Sequence, residues 1–230
     1  GYCHERGVKV YLTLNTMIKS KELYDAFETA KKAYESGADA IIISDLGLAD
    51  VLRREIPDFP LHGSTQLSVH SPAALSILKE KGFTRVVLSR EMSFNQISDF
   101  CRKARKMCIE TEVFVHGALC MSLSGQCLLS SMIGQRSGNR GLCAGPCRLP
   151  FSACGLNEKR YDLSLKDLSL ISHINELKEI GVDSLKIEGR MKRPEYVAAA
   201  TAVCRLRADG RNFEKCFFTN RIYRRLFYRN

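Results

Sequence analysis

The sequence predicts an α/β fold of the (β/α)8 TIM-barrel type that is N-terminally incomplete and carries a cysteine-rich loop insertion. Short β-branched segments alternate with amphipathic helical segments, a pattern typical of parallel strands joined by crossover helices. The length of 230 residues suits a single β/α domain. The alternation is interrupted once, by the glycine-rich residues 116–150, the cysteine loop, which hold four cysteines.

Six segments have the composition of buried strands. They cover residues 8–14, 40–44, 61–65, 85–89, 111–115 and 184–187. Two further strands ahead of these would make the eight of a barrel. We therefore expect residues 1–207 to form an N-terminally incomplete barrel domain, with an open doubly wound sheet as the alternative.

Helices are predicted between these strands from their start and stop signals. Ser20 can cap a helix that ends at Gly37, and Ser71 can cap another. Asp167 is a candidate N-cap for a helix over residues 168–180. The remaining helices are expected over residues 46–55 and 93–107 and from Pro194 onward.

The chain lacks the features of a membrane or secreted protein. No apolar run reaches the roughly 18–20 residues that a membrane span needs, and the first residues lack the apolar core of a signal peptide. We therefore expect a cytoplasmic protein with no membrane partner. Its ten cysteines would be reduced there, which favours metal ligands over disulfides.

The chain is basic, with 35 Lys and Arg residues against 25 acidic residues and a net charge of +10. Such an excess favours a polyanionic partner such as RNA. Basic residues concentrate in residues 102–106 and toward the C-terminus, where 208–230 form a basic tail of uncertain structure. The alternative interpretation is a solvated helix face followed by an unpacked tail.

The cysteine loop follows the fifth predicted strand, at the sheet edge where functional loops of β/α barrels gather. Six residues separate Cys120 from Cys127, and three separate Cys143 from Cys147. Thiolates bind zinc or iron–sulfur clusters. Structural zinc usually shows two tight pairs, which only the second pair matches, whereas the wider first spacing suits a [4Fe–4S] cluster. Unligated thiols are the third alternative.

Four other residues are candidates for catalysis or substrate binding. Lys186, Glu188 and Arg190 alternate along a strand end and are expected to share one face, as pocket residues or as a structural ion-pair ladder. Arg190 suits a carboxylate because its guanidinium is a planar fork. His116 precedes the cysteines and can contact a cluster or substrate, or only support the packing. No nucleophile–base pair or HExxH helix indicates a peptidase.

Long motifs carry a resemblance to a known family. They are EVFVHGALC ending at Cys120, GQCLLS around Cys127, LSLKDLSLI at 163–171, DSLKIEGRMKRPEYVAAA at 183–200, HGSTQLSV at 62–69 and VKVYLTLNT at 8–16. The chain resembles the collagenase-like peptidases, family thirty-two of the peptidases of unknown catalytic type. The resemblance implies a [4Fe–4S] cluster on Cys120, Cys127, Cys143 and Cys147.

The resemblance also implies an activity. Family members similar to this chain are RNA hydroxylases, so the expected reaction is hydroxylation of a pyrimidine in ribosomal or transfer RNA. Prephenate, a small anionic co-substrate, is the expected oxygen donor. The alternatives are a collagenase-like peptidase, which is a hydrolase, and a zinc-stabilised nucleic-acid-binding module.

Overall fold

The computed structural model describes residues 1–152, 158–190 and 192–208 and the backbone of 216–218. The strands are β1 (Tyr11–Leu14), β2 (Ala40–Ile43), β3 (Leu61–Gly63), β4 (Phe83–Val87), β5 (Glu110–Gly117), β6 (Leu168–Ser169), β7 (Ser184–Ile187) and β8 (Cys216–Phe218). The α-helices are α1 (Leu23–Glu35), α2 (Leu46–Glu55), α3 (Leu75–Glu80), α4 (Phe94–Lys106), α5 (Leu129–Gly134), α6 (Ile174–Glu179) and α7 (Pro194–Arg207). Within the described ranges, no helix is long and apolar enough to cross a membrane.

The strands form one sheet in the order β1-β2-β3-β4-β5-β7-β8, with β6 antiparallel beside β5. The parallel neighbours follow chain order, so every crossover connection steps in the same direction and the sheet curls. A doubly wound sheet would reverse its order at a switch point, and this sheet does not. Since β1 and β8 end the path, the described strands form a curled half-barrel, not the closed barrel of eight strands.

Two strands of the sheet have no counterpart in the sequence prediction. β6 occupies the start of the helix predicted over 168–180, so α6 begins only at Ile174. Leu168 and Ser169 extend because they pair with Gly117 and His116 of β5, a contact that local sequence does not encode. β8 pairs with β7 inside the basic tail, whose residues 209–215 and 219–230 lie outside the described residues.

The apolar core lies between the sheet and its helices. The strands contribute fully buried side chains such as Ile41, Leu61 and Leu185, and α4 contributes Phe100. The α4 helix starts at a capping box, in which the Ser93 hydroxyl accepts the Gln96 N–H. This packing holds the carboxyl ends of the strands in fixed positions, from which the loops extend.

Candidate site around the cysteine loop

The cysteine loop leaves β5 at a position that only glycine can occupy. Gly117 has a φ of +114°, and a Cβ there would lie 2.4 Å from the carbonyl oxygen of Glu188. The end of β5 therefore packs directly against the backbone that follows β7. This close approach fixes the direction in which the cysteine loop departs from the sheet.

The part of the loop between the first two cysteines is packed onto the turn after β3. Gly125, at φ +76°, would place a Cβ 2.8 Å from the carbonyl oxygen of Gln66. The Ser68 hydroxyl donates to the carbonyl oxygen of Ser124 at 2.6 Å. Asn139 from the later part of the loop donates to the carbonyl oxygen of Gly125. These contacts bring the two halves of the loop together.

A half-buried ion pair ties the loop to the segment after β1. Arg140 donates to both carboxylate oxygens of Glu22, at 2.9 and 2.8 Å, and to the carbonyl oxygen of Met17 at 2.6 Å. The hydrogen bond from Arg140 lowers the pKa of Glu22, which keeps that carboxylate charged. The stretch before the second cysteine pair is thereby held at the carboxyl edge of the sheet.

All four cysteines of the loop carry free thiols. Burial raises the pKa of Cys147, Arg148 opposes that rise, and the negative charges of Cys120, Cys143 and Cys127 raise it further. The other three sulfurs therefore lie within electrostatic range of Cys147. The Gly145 N–H donates to the Cys143 sulfur at 3.3 Å.

The described residues contain no group of three or more His, Cys, Asp or Glu side chains placed to hold one metal ion. The four thiols are thus neighbours that do not converge on a single point. A tetrahedral zinc needs every sulfur about 2.3 Å from one centre. A [4Fe–4S] cluster binds each sulfur to a different iron and so accepts thiols that are farther apart.

Lys186 lies in a buried polar network inside the curved sheet. Its Nζ donates to Glu112 at 2.6 Å, and Glu112 also accepts from Ser184 at 3.0 Å and from Arg85. Burial alone would raise the pKa of Glu112, but Lys186 and Arg85 lower it to about 2. Burial lowers the pKa of the neighbouring His62 to about 3, so this histidine is neutral.

Glu188 and Arg190 lie beyond the end of β7 and apart from this network. Glu188 accepts the backbone N–H of Arg190 at 3.0 Å, and the Arg190 side chain is exposed. An Nη atom of Arg190 lies 3.9 Å from the position that a Cβ would take at Gly141 of the cysteine loop. Arg190 therefore reaches the loop, whereas Lys186 points into the sheet interior and pairs with Glu112.

His116 stands at the end of β5, four residues before Cys120. Its ring stacks on Tyr196 with 5.5 Å between the ring centroids, and its buried Nδ1 has no hydrogen-bond partner among the described residues. The Tyr196 hydroxyl donates to Asp167 at 3.3 Å, and Lys192 donates to the same carboxylate at 2.6 Å. Asp167 thus binds the start of α7 through Lys192 and Tyr196. Its predicted role as a helix cap is wrong, because α6 starts only at Ile174.

One predicted basic cluster lies away from the cysteine loop, and most of the other, in the C-terminal tail, falls outside the described residues. The cluster at 102–106 ends α4 and therefore lies at the amino edge of the sheet, opposite the cysteine loop; Arg102 and Lys103 both pair with Asp99. At the carboxyl edge the exposed basic side chains include Arg136 and Arg190. A polyanion approaching the cysteines would meet this second group.

Known proteins resemble this chain over most of its length. The sequence model of peptidase family U32 matches residues 1–225. The chain is 37% identical over 213 residues to the 23S rRNA 5-hydroxycytidine C2501 synthase of Escherichia coli (strain K12), covering 90% of this chain and 32% of that protein. It is 35% identical to the tRNA hydroxylation protein P1 of Bacillus subtilis (strain 168), covering 89% of this chain and 50% of that protein.

A third relative carries a different name. The chain is 36% identical to a collagenase of Porphyromonas gingivalis (strain ATCC BAA-308 / W83), covering 88% of this chain and 51% of that protein. The chain therefore spans about half or less of the length of these three relatives.

Among solved structures, 3-hexulose-6-phosphate synthase from Salmonella typhimurium has a TM-score of 0.51 at 12% identity, over 93% of this chain and 78% of that one. That likeness concerns the fold alone. The sequence matches are far stronger, since the family model covers nearly the whole chain and relatives above 30% identity cover about nine-tenths of it. The chain belongs to peptidase family U32.

Proposed function

We propose that this chain forms the cluster-binding part of an RNA hydroxylase and holds a [4Fe–4S] cluster in its cysteine loop. The observation that carries the proposal is the contact at 2.6 Å from Arg148 to the carbonyl oxygen of Leu119, which joins the two ends of a four-cysteine loop at the carboxyl edge of the sheet. Family members named for the hydroxylation of ribosomal and transfer RNA support the choice of reaction.

The donor set suits such a cluster by its chemistry. Cys120, Cys127, Cys143 and Cys147 supply four soft sulfur ligands, which iron–sulfur clusters prefer. The six-residue spacing between Cys120 and Cys127 favours a cluster over one zinc ion, whose structural sites usually show two tight cysteine pairs. When bound, the cluster would supply one-electron redox chemistry that protein side chains do not provide.

The side chains around the loop have separate tasks in this proposal. His116 can hold or pass a proton at its Nδ1, and Tyr196 orients its ring by stacking. Arg190 extends over the loop near Gly141, where its guanidinium can bind a carboxylate of an anionic oxygen donor such as prephenate. Exposed basic side chains at the same edge, Arg136 among them, can bind RNA phosphates.

The experiment that tests the cluster is anaerobic purification followed by an absorption spectrum and iron, sulfide and zinc analysis. A cluster should give thiolate charge-transfer absorption at about 400 nm, whereas zinc thiolates do not absorb there. The Cys143→Ala variant should lose this absorption and its iron. Cys3→Ala is the matched control, since Cys3 is an exposed free thiol outside the loop. Zinc without iron in the unmodified chain would refute the cluster and favour the zinc-stabilised binding module.

The second candidate function is peptide hydrolysis, favoured by the relative named a collagenase. One experiment distinguishes the two activities: the same preparation is given gelatin in one reaction, and unmodified RNA with prephenate as oxygen donor in another. Gelatin cleavage that persists in Cys143→Ala, with no hydroxylated nucleoside in the RNA, would favour the peptidase. Mass spectrometry of the digested RNA detects the added oxygen directly.

A further inference from the structure

A cavity of about 240 Å³ is lined in part by the loop segment that connects Cys120 to Cys127. Its walls come from residues 68–70 after β3, residues 91–96 before α4 and in its first turn, and residues 123–126 between Cys120 and Cys127. The cavity therefore lies at the carboxyl edge of the sheet, next to the proposed cluster. Pockets for drug-sized ligands measure about 300–1,000 Å³, so this one suits a single small ring system.

The three walls are joined through Ser124, which is 1% exposed. Glu91 accepts the Ser124 N–H at 3.1 Å and its hydroxyl at 2.9 Å. The carbonyl oxygen of Ser124 accepts the Ser68 hydroxyl, and the Arg90 N–H donates to the Ser124 hydroxyl oxygen at 3.2 Å. The cavity is thus shaped by internal hydrogen bonds, so little ordering is needed when a ligand enters.

Ser68 determines which atoms the cavity offers to a ligand. It adopts the left-handed conformation at φ 55°, an unusual one for a serine. Its hydroxyl hydrogen is used on Ser124, so it can only accept from Gln126, whose Nε2 lies 2.8 Å away. This contact assigns the Gln126 amide and leaves its Oε1 as an acceptor for a ligand.

His70 is assigned by the same argument. Its Nδ1 lies 2.7 Å from the Ser68 carbonyl oxygen, which can only accept, so Nδ1 carries the hydrogen. In the neutral ring Nε2 is then an acceptor. With Glu91, whose carboxylate oxygens have further lone pairs, the cavity presents three acceptors.

The charge of Glu91 selects against anions. Burial raises the pKa of Glu91, but the hydrogen bonds from Ser124 outweigh that effect and lower it, so the carboxylate is ionised at neutral pH. A carboxylate or phosphate group would be repelled from this wall. Met92 and the exposed Leu123 add apolar surface that suits the face of a planar ring.

We infer that this cavity receives the target base of the RNA and that its acceptors favour cytosine over uracil. The inference rests on the proposed function. Cytosine presents its exocyclic amino group, with two N–H donors, where uracil presents a carbonyl oxygen that these acceptors would repel. A base must leave its stack before an enzyme can reach it, and a small preformed cavity beside the reactive centre is the place for it.

The test measures binding without any reaction. Cytidine and uridine are added separately to the anaerobically purified chain, and ligand-observed NMR gives their relative affinities. Cytidine should bind more tightly. His70→Ala should weaken cytidine binding by roughly tenfold, as expected for the loss of one well-formed hydrogen bond. His173→Ala, which alters an exposed histidine that pairs with Glu176 and does not line the cavity, should leave it unchanged.

The Glu91→Gln variant provides a second test of the base preference. The amide that replaces the carboxylate can donate to the uracil carbonyl, so the preference should shift toward uridine. Equal affinities for both nucleosides, or no effect of His70→Ala and Glu91→Gln, would overturn the inference. Absorption at about 400 nm, recorded on the same samples, tests independently whether the cluster is present. A chain that holds its cluster and hydroxylates RNA but fails the nucleoside test refutes only the base cavity.

Discussion

Arg148 donates a hydrogen bond of 2.6 Å from Nη2 to the carbonyl oxygen of Leu119. Arg148 directly follows Cys147, and Leu119 directly precedes Cys120, so this contact holds the first and last cysteines of the loop side by side. Through Nη1 the same guanidinium donates to Ser164 at 3.1 Å. The loop is therefore closed by protein contacts, which reduces the ordering that cluster binding requires.

Arg148→Lys should reduce the amount of cluster held per chain. An ammonium keeps the charge but lacks the planar fork that reaches Leu119 and Ser164 together. The loss of one or two half-buried hydrogen bonds should also cost about 1–2 kcal/mol of unfolding free energy. Iron analysis and urea denaturation measure the two effects. Arg160→Lys is the control, since the Arg160 side chain is exposed and forms an ion pair with Asp162, two residues along the chain. Full iron retention in Arg148→Lys would contradict the role assigned to Arg148.

Gly117→Ala should destabilise the fold by on the order of 2–4 kcal/mol, because it combines an unfavourable φ with a steric clash. The added methyl group would meet the Glu188 carbonyl oxygen at 2.4 Å. Gly134→Ala is the matched control, since a Cβ there has no neighbour within 4 Å. Chemical denaturation should show little or no loss for the control. A similar stability for both variants would mean that β5 and the segment after β7 separate easily.

Much of this architecture is predictable from local sequence, and the exceptions share one physical cause. The six predicted strands are present because β-branched runs and capping residues encode them locally. The local sequence of β6 predicts a helix, because its extended form depends on pairing with His116 and Gly117, which are distant in sequence. Pairing in the sheet also begins at Tyr11, three residues later than predicted.

In the candidate site, too, some features can be predicted from local sequence and others depend on contacts between distant residues. The four cysteines are recognisable from their spacing and from the family motifs. The Arg148 contact to Leu119 and the central role of Ser68 depend on side chains that meet only after folding, and no periodicity marks them. The two-residue period of a strand predicts that Lys186 and Arg190 share one face. That period stops at Ile187, where β7 ends, so Arg190 is free to turn toward the cysteine loop.

Lys186→Met should lower the unfolding free energy at pH 7 by about 3–5 kcal/mol, because it leaves the buried Glu112 charge without its closest partner. Glu112 and Lys186 are 1% and 5% exposed. The double variant Lys186→Met, Glu112→Leu should recover much of the loss, since no unpaired carboxylate then remains in the interior. Urea denaturation of the three proteins checks this. A single variant as stable as the unmodified chain would show that Arg85 alone neutralises Glu112.

Glu112 should also make the stability depend on acid. Its pKa in the fold is about 2, below its ordinary value of 4.5, so its contribution is complete above pH 4.5 and is lost as the pH falls toward 2. In Lys186→Met, burial dominates and the Glu112 pKa rises, so mild acid should relieve part of the defect. Denaturation midpoints between pH 7 and pH 4 measure this difference. A constant gap between the two proteins over that range would contradict it.

His116→Ala should slow RNA hydroxylation by about 10²–10⁴-fold while cluster absorption is retained, because a proton-transfer group is lost and no thiol is changed. Tyr196→Phe keeps the aromatic ring that stacks on His116 and loses only the hydroxyl bond to Asp167, so its rate should stay within about tenfold of normal. Tyr196→Ala removes the stacking partner, so its hydroxylation rate should lie between those of His116→Ala and Tyr196→Phe. Mass spectrometry of nucleosides from RNA incubated with the reconstituted chain and prephenate gives the rates, with His173→Ala as the control. An unimpaired rate in His116→Ala would remove this histidine from the reaction, and equal losses in both Tyr196 variants would show that its hydroxyl, not its ring, positions His116.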